Sequence, residues 1–303
     1  MSTVCRILIL VLLMHADHAI AGEQSATIEV GGKSICVPAP EGFHFVEMSR
    51  LPSGTRKVVE TLTAPNNRLL ALFVCESDLA RIMKGESADL GRSLNVQVFR
   101  EAEQLDISST QFQQIVAHFK RQQETLLKNA KDKFGPLLDE ASRNLSKDAG
   151  NTLKLKVNDV LPLGVFLDRN DAFGFAILTK SQVLAEGQQL DCVRICGICL
   201  VRVKGKLLYV YAHYEGPNDL GQVRATATRW VEQILANNMT QGSPVQTGPR
   251  NKGNSTSAWD RIIEKGLAGA IVGGILSLLA SMVGIVIGVM RRRSAKKKTD
   301  DTH

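Results

Sequence analysis

The residues best suited to chemistry stand close together, at Cys192-x3-Cys196-x2-Cys199. Three thiolates converging on one iron centre could hold an iron–sulfur cluster. A regular strand, however, puts Cys192 and Cys196 on one face and Cys199 on the other, so convergence needs a bulge, for which Gly197 is the available residue. Within the same run, Cys196-Gly197-Ile198-Cys199 has the C-x-x-C spacing of a redox-active dithiol. That chemistry depends on a lowered thiol pKa, commonly supplied by a helix N-terminus, whereas Leu200 to Val203 continue a strand. A zinc site completed by His213 lacks a second C-x-x-C or an H-x3-H pair. The expectation is a buried strand, with one structural disulfide left open. Cys36, Cys75, Cys192, Cys196 and Cys199 are the candidate disulfide or thiol positions once a leader holding Cys5 is removed, and their odd number leaves at least one unpaired within a monomer.

Other constellations resolve into ordinary structure. Asp168-Arg169-Asn170-Asp171 opens like a calcium loop, but that pattern demands an oxygen ligand where Ala172 stands and a glycine where Phe173 stands, so the segment reads as a hairpin turn. His44, His118 and His213 fall on separate elements, and neither a G-x-S-x-G nucleophile elbow nor a phosphate-binding glycine loop occurs. No catalytic, cofactor-binding or metal-ligating residue is assigned, and no cofactor is expected.

The elements that position these residues begin with the two ends. Residues 1–21 read as a secretory signal: Arg6 supplies a basic start, Ile7 to Met14 an apolar core, and Ala19-Ile20-Ala21 a small-residue cleavage site before Gly22. Residues 266–290 run without a charge, long enough to cross a bilayer at about 1.5 Å per residue. Arg291-Arg292-Arg293-Ser294-Ala295-Lys296-Lys297-Lys298 follows, and such a cluster stays cytoplasmic by the positive-inside rule. Small residues gather on one side of this helix. Gly269, Gly273, Ser277, Ser281, Gly284 and Gly288 lie within an arc of roughly 140° at about 100° per residue, the arrangement through which membrane helices pack closely. They are the candidate helix-association residues. The expected partners are membrane lipid, a second copy or another membrane helix meeting this side, and a protein of the envelope.

Charge location removes the nucleic-acid reading that a net +7 invites. The basic excess sits mostly in the tail; residues 22–265 hold 30 basic and 27 acidic side chains. The chain's 44% hydrophobic and 22% charged residues exclude disorder throughout. Residues 22–238 read as the folded extracytoplasmic domain, 239–265 as a tether rich in Gly, Ser, Pro, Thr and Asn, and 291–303 as a cytoplasmic tail.

Within the domain, Gly31-Gly32 marks a small hairpin, Arg68 to Cys75 and Leu94 to Phe99 read as strands, and Val160 to Leu167 pairs with Ala172 to Thr179. Leu190 to Val203 and Leu207 to His213 are joined by Lys204-Gly205-Lys206. A long helix starts at Ser109 or Thr110 and is expected to kink or stop at Gly135-Pro136, after which Leu137, Leu138 and Leu145 can begin a second; a last one, capped by Asn218 or Asp219, runs through Leu235 with Arg224 inside its apolar arc. Strands, long helices, strands and a last helix predict an α+β fold with antiparallel sheet and long amphipathic helices, followed by one C-terminal transmembrane helix.

At Val37-Pro38-Ala39-Pro40-Glu41-Gly42-Phe43 and at Leu207 to Leu235, strand then amphipathic helix, the chain resembles exported PsbP-like α+β domains. The resemblance covers two ends of the domain and carries no site residue. Such domains act mostly in binding or assembly, so it implies a non-enzymatic module, here anchored in a bacterial inner membrane with its domain in the periplasm. The competing expectation is an exported thiol oxidoreductase or hydrolase using the Cys192, Cys196 and Cys199 region.

Overall fold

The computed structural model describes residues 25–84, 86, 90–149, 152–185, 187–239, 262–280 and 283. The expected leader, most of the tether, Ser281, Gly284, Gly288 and the basic tail lie outside the described residues.

The fold is α+β, with every strand pairing among the described residues antiparallel. Strands β1 (Ser25–Val30) and β2 (Lys33–Pro38) form a separate hairpin. Its two turn residues, Gly31 and Gly32, both take positive φ, the conformation that a two-residue hairpin matched to strand twist requires. Seven further strands make one sheet: β3 (Phe43–Phe45), β4 (Asn67–Cys75), β5 (Arg92–Phe99), β6 (Leu153–Asp168), β7 (Ala172–Ala185), β8 (Gln188–Val203) and β9 (Lys206–Glu215). Their spatial order is β3-β4-β5-β9-β8-β7-β6. The β8–β9 turn uses Lys204 and Gly205, both at positive φ, and Arg169 N donates to Ala172 O across the Asp168–Asp171 turn.

Helices cover both faces. Helix α4 (Leu220–Asn237) lays Val223, Ala227, Trp230, Val231 and Ile234 on one face, against Leu94, Val96, Leu208 and Val210. The β1–β2 hairpin closes the same core, tied to the end of α4 by Asn238, which accepts from Cys36 N and donates to Cys36 O. On the opposite face, α3 (Ser109–Ala149) packs Phe112, Phe119 and Leu126 over Phe173 and Phe175, with the Phe119 and Phe175 ring centroids 4.4 Å apart. Short helices α1 (Ser53–Thr61) and α2 (Glu76–Met83) seal the β4 end.

Four features depart from or extend the sequence reading. Helix α3 runs through Gly135-Pro136, and its break in helical φ/ψ falls at Gln122 (φ −120°, ψ 16°). Proline's own φ suits a helix, and the clash that bars helix before proline is eased when Gly135 brings no Cβ to it. The β6–β7 hairpin begins earlier than expected, at Leu153, and its edge strand β6 carries Pro162 and three register shifts, at Val157/Asp159, Pro162/Gly164 and Val165/Leu167. An edge strand tolerates proline because its outer N–H groups have no ladder partner. Asp219 occupies the N-cap of α4 without a side-chain capping bond. Arg224 extends out of the apolar arc and donates to Leu163 O at 2.5 Å.

One further helix, α5, follows a π turn at Ile262–Gly266 and spans residues 267–280. Together with that turn, as the 18 residues Ile263–Ala280, it is among the described residues the one helix long and apolar enough to cross a membrane. Here it lies on the sheet beside α3, with Leu267, Ile271, Ile275, Leu278 and Leu279 buried in the same core as Phe173, Ile198 and Tyr211.

Candidate functional site

The face that receives α5 is set by strict alternation. Along β5, Leu94, Val96 and Val98 point to the α4 core, which sends Ser93, Asn95 and Gln97 to the other side. Along β9, Leu208, Val210 and Ala212 face α4, while Tyr209, Tyr211 and His213 face α5. Register aligns these polar groups: Ser93 stands opposite His213, Asn95 opposite Tyr211 and Gln97 opposite Tyr209. All six are buried.

Gln97, Asn95 and His213 join Asn67 in one connected ladder. Asn67 Nδ2 donates to Gln97 Oε1 at 2.9 Å, and Gln97 Nε2 donates to Asn95 Oδ1 at 3.0 Å. That leaves Asn95 Nδ2 as the donor to His213 Nε2, 3.0 Å away, so the imidazole accepts there and is neutral. From this ladder and the two tyrosines, four bonds reach α5 and the π turn before it. Tyr209 OH donates to Gly266 O at 2.8 Å, Tyr211 OH to Ala270 O at 3.0 Å, Asn67 Nδ2 to Gly269 O at 3.3 Å, and Gln97 Nε2 to Ser277 Oγ at 2.9 Å. Burial pushes both phenol pKa values up, which keeps the tyrosines protonated as donors.

Contact this close depends on the small residues of α5. A Cβ at Gly273 would stand 2.7 Å from Asn67 Nδ2, 2.8 Å from Tyr211 OH and 3.0 Å from Gln97 Oε1. Gly273→Ala is therefore expected to destabilise the full chain by about 1–3 kcal/mol, from crowding and displaced buried donors. Gly221, on α4, has nothing within 4 Å of its built Cβ, so Gly221→Ala should be neutral or stabilising by up to about 1 kcal/mol. Urea midpoints of the two variants check this; equal midpoints would contradict the packing.

Burial lowers the His213 pKa to about 3, with the charge of buried Arg194 adding to the effect. An unfolded histidine titrates near 6.5, so below that pH the unfolded chain binds a proton that the folded chain refuses. Stability is thus intact above about pH 6.5 and falls with pH toward the folded value. Between pH 6.5 and 4.5 the loss should reach about 2–3 kcal/mol. Denaturant midpoints should fall across that window in the wild type and flatten in His213→Gln.

Gly269, Gly273 and Ser277 all meet this face, so the small-residue side of the helix is in use, with the chain's own sheet against it. The sequence motif of cysteines is not brought to one point. Cys192 and Cys196 enter the α3–α5 core and Cys199 the α4 core. Burial raises the pKa of all three thiols, most for Cys196 and Cys199. Cys36 lies on β2 and Cys75 ends β4, where its thiol donates to Asp78 Oδ2; all five described cysteines are free. No group of three or more His, Cys, Asp or Glu among the described residues is placed to hold a metal ion.

Sequence reasoning missed Asn67, Asn95, Gln97, Tyr209 and Tyr211. The signal was present as polar alternation within β5, Ser93-x-Asn95-x-Gln97, a pattern that also describes a wet sheet face.

No family model matches the chain, and no curated protein does. Two solved structures are weakly similar. The Saccharomyces cerevisiae Ran-binding protein Mog1p is 13% identical with a TM-score of 0.27, covering 71% of this chain and 93% of its own. Cyanobacterial PsbP (CyanoP) from Synechocystis sp. PCC 6803 is 9% identical with a TM-score of 0.27, covering 73% and 94%. The chain thus has weak structural similarity, at low identity, to PsbP-like and Mog1p-like α+β domains.

Proposed function

We propose that the protein is a single-pass, membrane-anchored binding or assembly module, with residues 22–238 in the periplasm, α5 continuing into the 266–290 span of a bacterial inner membrane, and residues 291–303 in the cytoplasm. The observation that carries this is the C-terminal helix, long and apolar enough to cross a membrane and followed in sequence by six basic residues. In the bilayer its small-residue side is free to meet a second copy or another membrane helix.

The thiol-oxidoreductase alternative has the geometry against it: Cys196 and Cys199 occupy opposite faces of β8, and burial holds both thiols protonated, whereas dithiol exchange needs an accessible thiolate near its partner. A different second reading is favoured by the docking of α5, namely that α5 is a permanent core helix of a protein that never enters lipid.

Alkaline carbonate extraction of native membranes, followed by protease treatment of spheroplasts, separates these readings. An anchored module stays with the membrane, and protease removes the domain while sparing a short tail fragment. Release of intact chain by carbonate supports the permanent core helix, and protection of the domain would reverse the orientation.

A further inference from the structure

We propose that the face formed by β4, β5, β8 and β9 is a receptor for a membrane-spanning helix, and that α5 exchanges between this groove and the lipid bilayer. The inference rests on the reading of α5 as a membrane anchor.

The composition of the groove argues for exchange. Beneath an uncharged helix the sheet buries Asn67, Asn95, Gln97 and His213. A core that never opens gains little from such groups, since apolar side chains of similar volume are commonly as stable or more so. A face that is wet for part of its life needs them. When α5 departs, each amide and phenol can replace its helix contact with water at small net cost. Two buried atoms of the ladder, Asn67 Oδ1 and His213 Nδ1, have no hydrogen-bond partner even when α5 is docked. Both gain water on opening.

The manner of holding points the same way. Three of the four bonds end on main-chain oxygens of α5 and the turn that leads into it, at Gly266, Gly269 and Ala270. A helix carbonyl has a second lone pair beyond its intrahelical bond, so the groove reads exposed backbone without breaking the helix. On transfer to lipid, α5 keeps its internal bonds, as a spanning helix must. The Ser277 hydroxyl, which accepts from Gln97 in the groove, can turn to the carbonyl one turn earlier in its own helix. The groove therefore selects a chemical class of ligand: an apolar helix with glycine or serine along one side, for which α5 is the occupant within this chain.

The test uses the full chain with Gln97→Cys and Ser277→Cys, whose native side chains touch, in a background where half-exposed Cys36 and Cys75 are alanine. Oxidative crosslinking and carbonate resistance are measured with and without phosphatidylethanolamine–phosphatidylglycerol vesicles. Exchange predicts efficient crosslinking without vesicles, a drop of at least fivefold with them as carbonate resistance rises, and failure of the pre-oxidised chain to become resistant until it is reduced. Carbonate resistance with no crosslink under any condition overturns the exchange and leaves the anchor reading intact. A crosslink that vesicles do not change, with the chain always extractable, overturns the anchor reading and the exchange together. Tyr209→Phe with Tyr211→Phe, which removes two bonds to α5 without altering cysteines, should shift partitioning toward lipid by roughly tenfold. An unchanged partition in that variant, read on its own if the cysteine pair fails to fold, also overturns the proposal.

Discussion

A chain ending at Asn238 should keep its sheet and α4 but melt about 8–16 °C below the full-length protein in the absence of lipid. Removing α5 uncovers Ile198, Tyr209 and Tyr211, which are fully buried while it is docked, and deprives four polar contacts of their partners. A loss of about 4 kcal/mol, the size of a large core truncation, gives that shift for a domain of this length. The shortened chain should also bind a hydrophobic dye, and a synthetic peptide covering residues 262–283 should restore both melting temperature and dye exclusion. Calorimetry that finds equal melting temperatures would show that α5 contributes nothing to the fold it lies on.

The second large effect is expected on the other face. Trp230 is fully buried, its ring centroid is 5.3 Å from that of Phe73 in an edge-on arrangement, and its Nε1 donates to Pro38 O at 2.7 Å. One side chain thus joins α4, the sheet and the end of the β1–β2 hairpin. Trp230→Ala should cost about 3–5 kcal/mol through the cavity it leaves. Trp230→Phe keeps most of the packing but strands the Pro38 carbonyl, and should cost about 1–2 kcal/mol. Equilibrium unfolding in urea measures both. If the two variants were equally mild, the α4 core would not depend on this anchor.

How much of this was legible in the sequence depended on how local the cause was. The turns were readable because Gly31-Gly32 and Lys204-Gly205 fix a backbone conformation by themselves. Helix α4 was readable from its repeat of buried positions, and the cysteine run was readable as a strand, since period-two alternation alone divides Cys196 from Cys199. What failed depended on partners distant in sequence. Ser93, Asn95 and Gln97 look like a solvent face until α5, some 180 residues later, covers them. The bend at Gln122 carries no proline or glycine to announce it, while Gly135-Pro136 announces a break that α3 does not make. The candidate site was hardest to see because neither half is unusual alone: a small-residue helix suggests another helix, and an alternating strand suggests water.

Strand β6 has a bearing on how copies of this protein can meet. It forms one border of the seven-stranded sheet, leaves Leu161 and Val165 partly exposed, and at 16 residues would otherwise be a long template for a neighbouring strand. Pro162 deletes a donor from that border, and the three register shifts bend the remaining groups out of line. The opposite border, β3, offers only three residues. A sheet sealed at both sides does not lengthen by adding strands from a second molecule, so an assembly would be joined through its helices, and amyloid-like stacking of the folded domain is disfavoured from the outset.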